Sequence, residues 1–175
     1  MSRVGKCLIA TPNQHKGFFE NTVIWIYEDT PSGTNGIGIT NPTNLHLRDL
    51  AAKLGVDYPA DHHVIYKGGP VASGAVMMLH TADFYSSSTV HTGVGLNISS
   101  DDLMIKKLIT NNTPSSFRLT AGASCWAPGQ LDREMSKGTW LLAELPVDLI
   151  FNSSGLHQWR SGIEHAGRQT VANYF

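Results

Sequence analysis

Cysteine, charge and long apolar runs are all scarce in this 175-residue chain, and each scarcity removes a class of protein. The two cysteines, Cys7 and Cys125, lie far apart and flank no paired spacing, so neither a disulfide-stapled scaffold nor a zinc ribbon is available. A single disulfide stays open, but two free, buried thiols in a reducing compartment are the expected arrangement. Thirteen Lys and Arg stand against fourteen Asp and Glu, a formal net charge of -1. The basic face that usually marks a nucleic-acid binder is therefore missing, and only Lys106-Lys107 and scattered arginines could build a local patch. No apolar run approaches the ~20 residues of a membrane span. Met1 to Lys6 leads into a short apolar stretch without a cleavage region and reads as the approach to a first strand, not as a signal peptide. The expectation is a cytoplasmic protein with no membrane partner, in which the Asn-x-Ser/Thr sites at Asn97, Asn111 and Asn152 carry no meaning. Repeats and low-complexity linkers are absent too, so the chain reads as one domain over 1–175, able to bury roughly 70% of its unfolded surface.

What the chain does have is an ordered series of glycine- and proline-punctuated segments. Val4–Thr11 reads as a strand ended by Pro12, which cannot donate to a ladder. In Asn21–Glu28, Val23, Trp25 and Tyr27 point one way and Thr22, Ile24 and Ile26 the other, so both faces look covered. Pro31 to Gly36 reads as a turn, with Asn35-Gly36 supplying positive φ, and Ile37–Thr40 as the returning antiparallel strand. Thr43 or Asn44 caps a helix bearing Leu47, Leu50, Ala51 and Leu54, stopped by Gly55. Strands follow at Val64–Tyr66 and Ala75–His80, and Thr89–Ile98 alternates loosely, with Gly93 and Gly95 suggesting a bulge. Ser99 or Ser100 caps a second helix whose Asp102–Lys106 pair is four residues apart. Phe117–Trp126 is a strand, Pro128 opens a short helix ending at Gly138, and Trp140–Leu145 and Val147–Phe151 are two more strands. A last amphipathic helix carries Leu156, Trp159 and Ile163, capped by Ser153 or Ser154 and closed by Gly167. The sum is an α+β domain of eight or nine short strands and three or four helices.

The order of these segments resembles the AlgH/YqgE family of small bacterial proteins, from about Gly5 to Gly167. The carriers are Lys6 to Pro12, Phe19 to Ile24, Gly36 to Thr43, Gly68-Gly69-Pro70-Val71, Leu79-His80, Gly122 to Glu134, Trp140 and Leu149-Ile150-Phe151. Three departures mark a divergent member, of bacterial or phage source. Asn41 abuts Pro42, where the family carries a basic residue between them. Ala123 and Cys125 stand where the family has aromatic and glycine residues. The tail after Gly167 follows no family pattern. The resemblance implies a small barrel-like, mostly antiparallel sheet surrounded by helices. It attaches a transcriptional-regulator label but no catalytic residues.

Two sites compete on the residues themselves. Gly68-Gly69-Pro70 after a strand can aim several N–H groups at one point, and the start of the Pro128 helix offers more. A crevice lined by Thr11, Asn41, Gly68, Gly69, His80, Trp126 and Gln130 would then hold a small anionic ligand in a non-enzymatic regulatory or binding module. Alternatively, Cys125 before that helix is a thiolate nucleophile with His80 or His91 as base, in a hydrolase or transferase. A glycine at that position in the resembled family argues against the thiol, leaving Cys125 as a small buried residue behind Trp126. Asp61-His62-His63 spells the metal-holding signature of the DHH phosphoesterases without the additional aspartates it needs, so it reads as a solvated loop. No metal and no cofactor are expected. Gly36-Ile37-Gly38 lacks a third glycine and serves close strand packing. Trp126, Trp140 and Trp159 lack the basic groove of a base-stacking platform and read as core. Glu134 reads equally as surface charge or buried acid, and no helix-turn-helix pattern supports the DNA-binding label.

Overall fold

A computed structural model describes residues 1–14, 17–59 and 62–174. Its strands are β1 (Cys7–Ala10), β2 (Val23–Thr30), β3 (Gly33–Gly38), β4 (Pro42–His46), β5 (Val64–Lys67), β6 (Val71–Thr81), β7 (Val90–His91), β8 (Leu96–Ser99), β9 (Phe117–Trp126) and β10 (Trp140–Ala143). The described residues also form five helices: α1 (Leu47–Lys53), α2 (Asp102–Ile109), α3 (Gln130–Ser136), α4 (Val147–Phe151) and α5 (Gly155–Ala172). The strands form one curled, mostly antiparallel half-barrel in the order β10-β1-β2-β3-β9-β6-β8-β7, with β5 joining β9 and β4 joining β5. The α+β class is thus as the sequence indicates, with more helices than the three or four counted from it.

Side-chain alternation explains how one sheet serves two layers. Cys7, Ile9, Val23 and Trp25 join a core covered by Trp159, Ile163 and Ala166 of α5, while Leu8, Ala10, Ile24 and Ile26 join another closed by Leu131 of α3, Trp126 and Trp140. A third core packs Leu47 of α1 and Met104, Ile105 and Leu108 of α2 against Ile65, Met78 and Leu119. No helix among the described residues is long and apolar enough to cross a membrane.

β9 organises the site region. Its residues 119–121 pair in parallel with β5, residues 124–126 pair antiparallel with β3, and β6 runs along its other edge. The change of partner falls at Gly122, whose φ is +79°. Here the chain after β5 wedges in. The Gly68 N–H donates to Ala121 O, while Gly68 O accepts from Gly38 N–H and the Ser124 hydroxyl. A Cβ on Gly68 would lie 2.2 Å from Gly122 O, and one on Gly69 2.0 Å from the Ala123 carbonyl. The glycine pair is a site of backbone contact before anything else.

Several local readings are corrected. Val147–Phe151 is the helix α4, not a strand. Asn35-Gly36 lies inside β3, and the turn is Pro31-Ser32. Thr89–Ile98 is not one bulged strand but a hairpin, β7 and β8, turned by Gly93 and Gly95 at φ +80° and +88°. Thr43 and Asn44 belong to β4, so His46 precedes α1, and Asp101, not Ser99 or Ser100, caps α2 by accepting from Met104 N–H. α5 passes through Gly167 to Ala172.

Candidate functional site

The seven residues expected to share a crevice fall in three places. Trp126, Gln130 and Thr11 gather round α3. The Trp126 indole donates to Glu134 Oε2 at 2.9 Å, the Trp140 indole donates to the same oxygen at 2.8 Å, and Gln130 Nε2 donates to Oε1 at 3.0 Å. Glu134 is therefore the acceptor for two buried indoles, a structural duty that its sequence position left undecided. Gln130 Oε1 accepts from Ala127 N–H, which removes one of the backbone donors expected of this turn. Thr11 hydroxyl donates to the Gly138 carbonyl just beyond α3. Asn41, Gly68 and Gly69 sit instead at the β3–β5–β9 junction, where Asn41 donates to Thr22 Oγ1 and Asn41 O accepts from Lys67 N–H.

His80 lies toward the other end of β9. It is opposite Phe117, while Cys125, opposite Asn35, is eight residues further along that strand. Eight residues span at most roughly 26 Å at ~3.3 Å each, the kink at Gly122 shortens that, and both ring nitrogens of His80 bond to groups other than Cys125, so the two form no nucleophile–base pair. Nor is Cys125 a buried residue or an activated thiol. It is exposed, and partial burial of the sulfur and the neighbouring Glu28 carboxylate push its pKa up, opposite to the direction a nucleophile needs. Cys7 is free and buried as expected. The His80 ring is held between the Thr81 carbonyl at Nδ1 and Ser99 Oγ at Nε2, both 2.8 Å away. The carbonyl can only accept, so Nδ1 carries the hydrogen and the serine donates to Nε2.

The position with unspent chemistry is Arg118, one of the scattered arginines that nothing in the sequence sets apart. It is 5% exposed, and no carboxylate among the described residues meets it. Its Nη1 donates to the carbonyls of Ile39 and Ser153, its Nη2 donates to that of Phe151, and the guanidinium lies 4.1 Å from the centre of the Tyr66 ring. Two of its five donors remain without a protein acceptor among the described residues. Arg118 lines a cavity of about 210 Å³ with His62, His63, Tyr66, Phe117 and Phe151. The parallel pairing of β5 with β9 sets Tyr66 beside it, and the bond from Leu47 N–H to His63 O fixes the histidine segment. Asp61, first residue of the Asp-His-His signature, lies outside the described residues. No group of three or more potential metal ligands occurs among those described.

Four larger cavities are chemically less suited to an anion. One of about 270 Å³ between α1, α2 and β6 faces Asp101 and Asp102 with Lys53. One of about 440 Å³ beside β10 combines Lys6 with Glu144. Cavities of about 560 Å³ on α5 and about 530 Å³ beside α1 carry acids too, Glu164 in one and Asp49 and Asp57 in the other. Of these five hollows, the Arg118 cavity alone is lined by cationic and aromatic groups with no acid among the described residues.

The model of the AlgH-like family, DUF179, matches residues 7–171. The chain belongs to this family. The match runs past Gly167, to within one residue of the end of α5. A UPF0301 protein of Marinomonas sp. (strain MWYL1) is 33% identical over 149 residues, 83% of this chain and 79% of that protein. A UPF0301 protein of Methylococcus capsulatus is 30% identical over 165 residues, 93% and 91% of the two chains. The solution structure of the AlgH protein from Pseudomonas aeruginosa aligns with a TM-score of 0.80 at 26% identity, over 93% of this chain and 87% of that one. A crystal structure of a Corynebacterium diphtheriae protein, with a TM-score of 0.68 at 23% identity over 91% and 84%, shares the fold.

Proposed function

We propose that this AlgH-like protein is a non-enzymatic cytoplasmic module that binds a small anion in the Arg118 cavity. The observation that carries the reading is a buried guanidinium with spare donors, no counter-charge among the described residues and an open hollow beside it. A buried cation is normally paired, and backbone carbonyls neutralise Arg118 only with partial charges. The separation of His80 from Cys125 counts against the hydrolase or transferase alternative. A regulatory role follows if the occupied and empty forms are read by another molecule. The near-neutral charge favours a small-molecule signal over duplex DNA.

A saturable anion must raise the melting temperature. At a hundredfold excess over the dissociation constant the gain is about 2.7 kcal/mol, or roughly 5–10 °C for a chain of this size. Sulfate also stabilises proteins by exclusion from their surface, so the measurement is a thermal-shift titration of wild type against Arg118→Lys, with chloride at matched ionic strength. The expected result is a saturable shift in wild type that Arg118→Lys weakens. Equal, non-saturating shifts in both proteins overturn the reading.

A further inference from the structure

The same cavity holds a second kind of group that changes charge near neutral pH. The rings of His62 and His63 are 4.2 Å apart, and His63 also lies 4.9 Å from the Phe117 ring. Two imidazolium ions so close repel each other, and Arg118 is already positive, so the empty cavity discourages protonation. Burial is the larger cause that lowers the His63 pKa, and the neighbouring His62 adds to it. The described titratable or charged groups lining the hollow are His62 and His63 on the approach to β5, Tyr66 on β5 and Arg118 on β9, while α4 contributes Phe151 and no charge. An anion seated among them reverses the balance and favours imidazolium.

We propose that the Arg118 cavity takes up a free divalent oxyanion of sulfate or phosphate size together with one proton, which His63 carries. This rests on the anion-binding reading above and adds the ligand class and its regulation by pH. A hollow of about 210 Å³ is smaller than the about 300–1,000 Å³ of sites for drug-sized molecules, which favours a free ion. Donors from Arg118 and an imidazolium meet two sides of such an ion with charge-assisted hydrogen bonds. Because the bound form holds the extra proton, affinity rises as pH falls, by at most about tenfold per unit, between the pKa of the occupied cavity and that of the empty one.

Sulfate is the probe, since it keeps its double charge across the histidine range. Calorimetric titrations at several pH values between about 5 and 8, each in two buffers of different ionisation enthalpy, give both the affinity and the protons taken up. The expected result is tighter binding at lower pH with uptake approaching one proton, and His63→Asn losing both the uptake and the slope. Sulfate binding that is flat with pH and takes up no proton overturns the coupling while leaving the anion site standing. No binding to the folded protein at any pH overturns the site itself. Arg118→Lys, which keeps a cation where Arg118→Met would strand three carbonyls, is expected to weaken binding across the whole range. Unchanged binding in Arg118→Lys would place the anion elsewhere and overturn the proposal.

Discussion

Glu134 holds the indole N–H groups of Trp126 and Trp140 on one oxygen, and both rings are at most 5% exposed. Each donor would lose a charged acceptor in Glu134→Ala, and buried unsatisfied donors cost about 1–3 kcal/mol apiece. The variant is expected to lose about 3 kcal/mol in denaturant unfolding and to shift its tryptophan emission to the red. A loss under about 0.5 kcal/mol would show that the clamp is not formed. The sequence placed Glu134 on the short helix after Pro128 yet could not reveal that two tryptophans from different strands converge on it. Cys125 was more legible than its reading. Ser124 and Trp126 are buried in β9, so strict alternation sends Cys125 outward. Arg118 was not legible, because its value comes from partners at Ile39, Phe151 and Ser153, all more than thirty residues away.

The β9 kink is the element on which the sheet turns. Gly122 adopts positive φ, and a Cβ there would lie 2.2 Å from Gly69 O. Neither that carbonyl nor the Ala123 backbone opposite Gly69 can swing aside. Gly69→Ala and Gly122→Ala are therefore expected to cost about 3 kcal/mol or more. Gly74→Ala, with open space round its Cβ and no positive φ, should fall within about 1 kcal/mol of wild type. Similar losses in all three would contradict the interlock. Strands with a continuous apolar run, such as β2, and helices with clear flanking signals, such as α2 and α3, were readable in the sequence. Short or ambiguous pieces were not. Five apolar-rich residues in α4 fit strand or helix equally, and the sign that decides, Pro146 at the N-cap position, is weak by itself. Gly167 reads as a stop in the sequence, but a glycine on a helix face with open space beside it costs only ~1 kcal/mol and does not end the helix.

Two groups of titrating residues shape the stability of the molecule as a whole. The carboxylates of Asp29 and Asp101 are held at about 2 against the cost of their own burial, Asp29 by the Arg3 guanidinium and Thr34, and Asp101 by Ser86, Ser88 and the N-terminus of α2. Their folded pKa lies below the unfolded one, so their contribution is present above about pH 4 and is lost as pH falls toward 2. Burial lowers the pKa of His80 and of His63. The unfolded chain then binds more protons than the folded one once pH drops below about 6.5, so stability falls from pH 7 toward pH 5 as well. Chemical denaturation across this range should show a gentle decline down to pH 5 and a steep one below pH 4. A midpoint that rises on acidification from pH 7 to 5 would contradict the lowered pKa of His80 and His63.

That acidic decline belongs to the empty protein, and an oxyanion in the Arg118 cavity should oppose it. The family and its α+β architecture were readable from motif order over most of the chain, yet the cavity was not. It needs β5 to run parallel to β9 and the end of α4 to close over it, and no local pattern announces such long-range pairing. The most direct measurement is anomalous diffraction from a crystal soaked in selenate. The account predicts a selenium peak within hydrogen-bonding distance of Arg118 and one of the paired histidines. Selenium elsewhere on the surface, with only water beside Arg118 at saturating selenate, would contradict it.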